Sequence, residues 1–307
     1  MLVFIIRRLL QTIPVALGVT FAVFAILHLI PGDPAIVIAG EAADPAQVEQ
    51  IRINLGLNDP FLVQYGRYLG RLVQGDMGTS IRSSRPVAEE IFERRFFITV
   101  ELAIVSTAFT SLIGLIIGVI SATRRHTPLD VGLMLFSLLG LAMPNFWLGI
   151  LLMSLLGVQL GLFPLIGWGT PAQIVLPALT LGIGGSALIA RMTRASLLDV
   201  LTKDYIRTAH AKGISERIII YKHALRNALI PVITVVGLSF GSMLSGAILT
   251  ETIFAINGMG RLIVDSIRDR DFPVAQGAIL VTSMMFVLVN CLVDVVYRMV
   301  NRRVDLN

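Results

Sequence analysis

Cysteine is almost absent from this chain. A single thiol, Cys291, occurs in 307 residues, which excludes an intrachain disulfide framework. Lysine is nearly as scarce: Lys203, Lys212 and Lys222 are followed by Asp204, Gly213 and His223. None stands in the Gly-x-x-x-x-Gly-Lys-Ser/Thr pattern whose backbone amides cradle phosphates, so ATP hydrolysis by that route is excluded. The histidines are His28, His126, His210 and His223, and none has the spacing of a zinc site. Three of them fall in polar loops, where surface contact is the plain reading; His28, at the end of an apolar run, reads as packing. A rhomboid-type protease needs Gly-x-Ser-Gly, but Ser245-Gly246 is preceded by Met243-Leu244. Charge is sparse at 15% of residues, and Glu101, Glu251 and Asp294 lie near the ends of apolar runs. Ion-coupled carriers place such groups at mid-membrane, so no proton relay is evident.

What is abundant is apolar surface, at 55% of residues and a mean hydropathy of +0.81. No soluble domain of this size hides so much, so lipid must act as solvent. Crossing a bilayer takes roughly 20 apolar helical residues, because lipid offers backbone N–H and C=O groups no partners. Six segments qualify: about 9–30, 99–122, 131–157, 174–190, 229–250 and 274–297. The fourth is short and should continue past Arg191 as helix. The expected fold is therefore an all-α polytopic membrane protein with a single domain over 1–307. The first apolar run, 22 residues after Arg7-Arg8, exceeds the roughly 7–15 of a cleavable signal peptide and reads as a retained anchor.

Six spans place both termini on one side. With loops 123–130 and 191–228 assigned to that side it carries net +9, against −4 opposite. The positive side should be cytoplasmic, with N and C termini inside. This split assigns the overall +5 to membrane topology and not to nucleic-acid binding.

Segment 31–98 then lies outside, as a helical cap between spans one and two. Asp44-Pro45 reads as a cap and first helical residue, with Gly56 at the helix end. Asp59-Pro60 repeats the signal, and Phe61, Leu62, Tyr65, Tyr68, Leu69 and Leu72 follow at helical spacing up to Gly75. Pro86 opens a third helix with Glu89 and Glu90 in its first turn. Loop 251–273 is amphipathic, with Leu262, Ile263 and Ile267 on one face. Within the spans, Gly114-xxx-Gly118, Gly237-xxx-Gly241 and Gly182-xxx-Ser186 are small-residue pairs suited to helix packing, within this chain or against a partner. Pro144, between Gly140 and Gly149, should kink the third span. Ser106, Thr107, Thr110, Ser137 and Asn145 either line a wet path or bond across helices.

The most informative stretch is Asp204 to Pro231, DYIRTAHAKGISERIIIYKHALRNALIP, a basic interruption between two apolar spans. It reads as helix, glycine break and second helix. Gly213 suits the positive φ that ends a helix, and Ser215 can cap the next. Ala209, Ala211 and Gly213 are small enough for another backbone to approach, while Asp204, Arg207 and Lys212 offer charge. Pro231 should sit in the first turn of the following span. From residues alone, an amphipathic helix on anionic lipid is an equal alternative.

Here the sequence resembles a known family, the integral membrane permease subunits of ATP-binding cassette importers of the peptide/nickel type. The strings DYIRTAHAKG and HALRNALIPV are nearly those of that family's cytoplasmic loop, with His210 where the pattern has arginine. The resemblance extends through Pro31-Gly32-Asp33-Pro34, Gly75-Asp76-Met77-Gly78-Thr79-Ser80, Pro144-Asn145-Phe146-Trp147-Leu148-Gly149, Leu176-Pro177-Ala178-Leu179-Thr180-Leu181-Gly182 and Glu251-Thr252-Ile253-Phe254, with Gly258-Met259-Gly260-Arg261-Leu262 behind. It implies that loop 191–228 is a coupling loop in which Asp204, Tyr205, Arg207, Thr208, Ala209, Lys212 and Gly213 engage an ATPase. It further implies a bacterial inner-membrane protein without enzymatic activity or cofactor of its own. Its partners would be a second homologous permease, two ATPase subunits that bind ATP and Mg, and a periplasmic substrate-binding protein. The implied cargo is a di- or oligopeptide, glutathione included. Nickel complexes or opines are alternative cargo, and a self-sufficient secondary carrier is the rival class.

Overall fold

The computed structural model describes residues 2–29, 33–40 and 43–300. Pro31 and Gly32 of the first family-like motif lie outside the described residues, as does the tail carrying Arg302 and Arg303.

The described chain is helical, with one isolated bridge between Thr79 and Pro86. Its long elements are α1 (Leu2–Leu29), α6 (Phe96–Thr123), α9 (Pro171–Leu201), α12 (Leu225–Ile253) and α14 (Phe272–Val300). Each contains a stretch long and apolar enough to cross a membrane. The segment between α1 and α6 carries α2 (Pro34–Ala39), α3 (Pro45–Leu55), α4 (Phe61–Val73) and α5 (Val87–Glu90). Between α6 and α9 lie α7 (Pro128–Ala142) and α8 (Asn145–Leu152). Further on are α10 (Asp204–Ala211), α11 (Glu216–Ile218) and α13 (Met259–Arg268). The polytopic all-α expectation holds, and α9 does continue well past Arg191.

The third span departs from a kinked rod. The helices Pro128–Ala142 and Asn145–Gln159 meet at 106°, so they form either one broken span or a re-entrant pair. Met143 is extended, at φ −78° and ψ 128°, because the Pro144 ring clashes with a helical predecessor. Met153–Gln159 then winds as a π-helical turn. Both halves pack on α9.

Other boundaries moved for local reasons. Asp44 caps α3 by accepting from the Ala46 amide at 3.2 Å, and Gly56 ends it at φ +65°. The look-alike Asp59 does not cap α4. Its carboxylate pairs with Arg67 at 2.6 Å, and Pro60 takes the cap position. The helix opened by Pro86 does not stop before the second span: a π-helical turn, Ile91–Arg95, joins it to α6 in one run of 37 residues. Pro231 lies inside α12 and not in its first turn, because the π-helical turn Ile219–Ala224 carries the winding into the span from the loop.

By contacts the chain forms two compact units: residues up to Thr99 with Asn257–Val287, and Val100–Ile256 with the stretch from Leu288. In the first, Phe24 of α1 packs among Phe61, Tyr65 and Tyr68 of α4, with ring centroids 5.2–5.6 Å apart. His28 joins this group, its Nδ1 facing the Phe24 carbonyl at 2.8 Å. A second cluster gathers Val87, Ile91, Met259, Leu262, Ile263, Val274 and Ala278. Ile267, expected on the apolar face of α13, is exposed instead.

In the second unit α9 is the hub, with its most extensive contacts to α12 and α7. The expected small-residue pairs lie at close approaches. A Cβ on Gly114 would stand 2.7 Å from Ile189 Cβ, and one on Gly118 2.5 Å from Thr193 Cβ. Gly182 faces Phe109 and the Ser106 carbonyl across the same α6–α9 seam. Gly237 abuts Val293, and Gly241 is buried.

Candidate functional site

The exposed knuckle between α9 and α12 is built from the inside out. Helix α10 turns Ile206 and Ala209, three residues apart and hence on one face, into a cluster with Val119, Ala122, Leu197, Val200, Ile219, Ala224 and Ala228. Those partners belong to the ends of α6 and α9, to the π-helical turn and to the start of α12. Ile206 is 1% exposed and Ala209 7%. Ala209 therefore is not on the outward face, as its small size suggested. Its size serves close packing against its own core.

The other residues singled out in the sequence remain outside. Asp204, Tyr205, Arg207, Thr208, Lys212 and Gly213 are all exposed. Arg207 lies 3.6 Å from Asp204, a solvated pair worth little to stability. The Thr208 hydroxyl donates back to the Asp204 carbonyl at 3.0 Å. Asn227 donates to the Tyr205 hydroxyl at 2.8 Å, fixing the ring against the start of α12. Asn227 lies in the second family-like string but carried no assigned role; nothing in the sequence pairs it with Tyr205. Gly213 has φ +71°, the left-handed conformation that L side chains rarely adopt, and it lets the chain reverse from α10 to α11. Ser215 occupies the cap position of α11, although its side chain makes no capping bond.

His210 closes this reversal. Its Nδ1 faces the Ile206 carbonyl at 3.0 Å and its Nε2 the Glu216 carboxylate at 2.8 Å. Both neighbours are acceptors, so the ring satisfies both only when each nitrogen carries a proton. Its pKa is accordingly raised, first by the Glu216 hydrogen bond and next by the carbonyl.

A second polar anchor lies in the same unit. Asp130 at the start of α7 is 5% exposed at its side chain and takes a two-pronged contact from Arg194 of α9, at 2.8 Å to each oxygen. The His126 amide donates to the same carboxylate at 3.1 Å. Loop 124–130 is thus tied to α9 by charge-assisted bonds. Of the span hydroxyls, Thr110 and Ser137 donate to carbonyls one turn back in their own helices, at 2.8 and 2.9 Å. Thr107 faces the Met243 sulfur. Among the described residues no cluster of three His, Cys, Asp or Glu suits a metal ion.

The surface between α9 and α12 offers charge, a fixed reversal and an apolar seat on several long helices. A family model described as a binding-protein-dependent transport system inner membrane component matches residues 114–306. A second, describing the N-terminal part of such components, matches residues 1–103. The dipeptide transport system permease protein DppB of Alkalihalophilus pseudofirmus is 43% identical over 99% of this chain and 99% of its own length. The glutathione transport system permease protein GsiC is 46% identical in Pectobacterium atrosepticum and 45% in Escherichia coli K12, each over 98% of both chains. An inward-facing MetNI methionine ABC transporter has a similar fold, with a TM-score of 0.60 at 21% identity over 69% of this chain and 97% of its own.

Proposed function

We propose a function from one premise: this chain belongs to the family of binding-protein-dependent transport system inner membrane components. It is a transmembrane permease subunit of an ATP-driven ABC importer for di- and oligopeptides, glutathione included. The cargo reading is supported by relatives named for dipeptide and glutathione transport.

The permease works in the bacterial inner membrane with both termini and loop 191–228 in the cytoplasm. It pairs with a second, homologous permease. Two ATPase subunits hold ATP and Mg, a periplasmic binding protein delivers cargo to the 31–98 side, and this chain makes no covalent bond itself. Asp204, Tyr205, Arg207, Thr208, Lys212 and Gly213 form the contact face for an ATPase, and Ala209 seats it. Closure of the ATPases on nucleotide displaces α10, and the spans exchange inward- and outward-open states.

One observation carries the coupling role. The outward face of α10 is charged and exposed, while its inward face is packed against the ends of α6, α9 and α12. Tyr205 is the one large ring exposed on α10, and its hydroxyl is held by Asn227, so the helix itself presents little free apolar surface to lipid. The test is Arg207→Glu or Gly213→Asp in the assembled transporter, reading ATP turnover stimulated by the cargo-loaded binding protein. Stimulation should vanish while membrane insertion persists. Unchanged stimulation in both variants removes the loop from the mechanism.

A further inference from the structure

The first compact unit carries a half-open cavity of about 1160 Å³ that the coupling mechanism does not use. Residues of α1, α4, the 76–84 turn and the start of α14 line it. That is ample for a ligand of several residues, since small-molecule pockets run to roughly 300–1,000 Å³.

Most of the charge in its wall is already matched. Asp33 pairs with Arg52, and Asp59 with Arg67. What remains is a set of unused donors. Tyr68 is 6% exposed, its ring stacked on Phe24, yet its phenol has no hydrogen-bond partner among the described residues. Burial pushes that phenol up to about 12, so it stays an O–H donor at any physiological pH. The amide nitrogen of Gln276 is buried in the same wall with no partner. Arg71 lines the cavity within electrostatic reach of Tyr68, and its guanidinium makes no ion pair or hydrogen bond among the described residues. The Gln276 amide nitrogen is thus a buried donor left unmade, and the unpaired Tyr68 hydroxyl and exposed Arg71 guanidinium stand in the same wall, a set of donors that points to an absent acceptor.

We propose that this cavity is a binding site for the free α-carboxylate of a small peptide, held by Arg71, the Tyr68 hydroxyl and the Gln276 amide. The nearby Asp76 carboxylate supplies the opposite charge for an ammonium group, and Phe24 and Phe272 give apolar wall for side chains. Both charges of a zwitterion are thereby met in one cavity. The peptide identity rests on the proposed cargo; the carboxylate chemistry rests on the donors alone.

The test is equilibrium dialysis with the whole transporter in nanodiscs, without the binding protein. The probes are Ala-Phe, its C-terminal amide and N-acetyl-phenylalanine. Ala-Phe should bind about tenfold or more tightly than its amide, the value of one charge-assisted hydrogen bond. Tyr68→Phe, which preserves the ring and its stacking, and Arg71→Gln should each erase most of that preference. Equal binding of acid and amide, or a preference that survives both substitutions, overturns the site. So does a Tyr68- and Arg71-dependent capture of the binding protein with no peptide bound, which would make an acidic side chain the occupant. If N-acetyl-phenylalanine binds with the same dependence on Tyr68 and Arg71 but Ala-Phe is never taken up, the site stands and the cargo reading falls. Intact uptake without any acid preference removes the site and leaves the cargo reading.

Discussion

Replacing Gly118 with alanine tests whether the α6–α9 seam depends on backbone approach. The added methyl would sit 2.5 Å from Thr193 Cβ, 2.7 Å from the Ala190 carbonyl and 2.9 Å from Thr193 Cγ2. Ordinary contact begins at 3.4 Å, so the helices must part locally by about 1 Å. A gap of that size forfeits roughly a quarter to a half of the dispersion energy of each neighbouring contact. In lipid those contacts carry much of the association, since no hydrophobic force drives one helix onto another. The opposing atoms are a carbonyl and a β-branched carbon, neither free to swing away, so the cost should be about 1–3 kcal/mol. Gly114→Ala should behave alike, against Ile189 and Ser186. The two should not sum, because they strain one seam. Gly70→Ala is the control: it lies in α4, exposed, with nothing within 4 Å of an added Cβ. Relief of the glycine penalty should raise stability by about 1 kcal/mol there. The assay is unfolding in mixed micelles followed by circular dichroism at one protein concentration. A midpoint for Gly118→Ala equal to that of the wild type would refute the close-approach argument. A drop with Gly70→Ala would show that the assay reads something other than packing.

Three further outcomes are expected. Asp130→Asn should lower the unfolding midpoint by about 1–3 kcal/mol, because Arg194 loses a two-pronged anionic partner although water reaches part of its guanidinium; it should also speed protease cleavage in loop 124–130, and an Asp130→Asn/Arg194→Gln double variant should recover part of the loss. The His210 clamp should depend on pH: its folded pKa is raised above the ordinary 6.5, so its support is complete below that value and is lost as pH rises through the folded value. Hydrogen exchange in residues 210–218, corrected for intrinsic rate, should therefore rise as the pH passes upward through the folded value, and His210→Gln should flatten that rise. Gly213→Val, without added charge, should already impair coupling through about 1–2 kcal/mol of left-handed strain, read as reduced stimulated ATP turnover at normal membrane insertion.

Much of this architecture was legible because it rests on local chemistry. Apolar run length marks the long helices, Asp44 and Gly56 bracket α3, and Gly213 marks the reversal after α10. Where two local signals were identical, tertiary contacts separated them. Asp59-Pro60 reads like Asp44-Pro45, but Arg67 draws the Asp59 carboxylate away from the helix start. Pro144 announces a break and says nothing of its size, since the flanks are equally apolar; the 106° bend follows from both halves packing on α9. Proline preference placed Pro231 at a helix start, whereas a π-helical turn had begun the winding earlier. Ala209 looked like an approach point because size alone does not tell which face of a helix is buried. The gathering of Tyr68, Arg71 and Gln276 was invisible, because the last lies some two hundred positions from the others.

Under the proposed coupling, the seat of α10 would let so short a helix move much of the protein. Ile206 and Ala209 touch a cluster drawn from the ends of α6 and α9 and the start of α12. Interiors packed to near-crystalline density transmit strain with little compression. A displacement at α10 is thus delivered to three long helices together, and not through a flexible tether to one. The other connections favour the same outcome. Gly114 and Gly118 hold α6 tightly on α9, and the Asp130–Arg194 contact ties the start of α7 to it. The turn at Gly213, braced by His210 and Glu216, keeps α10 from tilting off its seat when pushed. A lever needs a stiff arm and a firm bearing, and in the proposed coupling the small-residue α6–α9 seam and the Asp130–Arg194 pair would supply them.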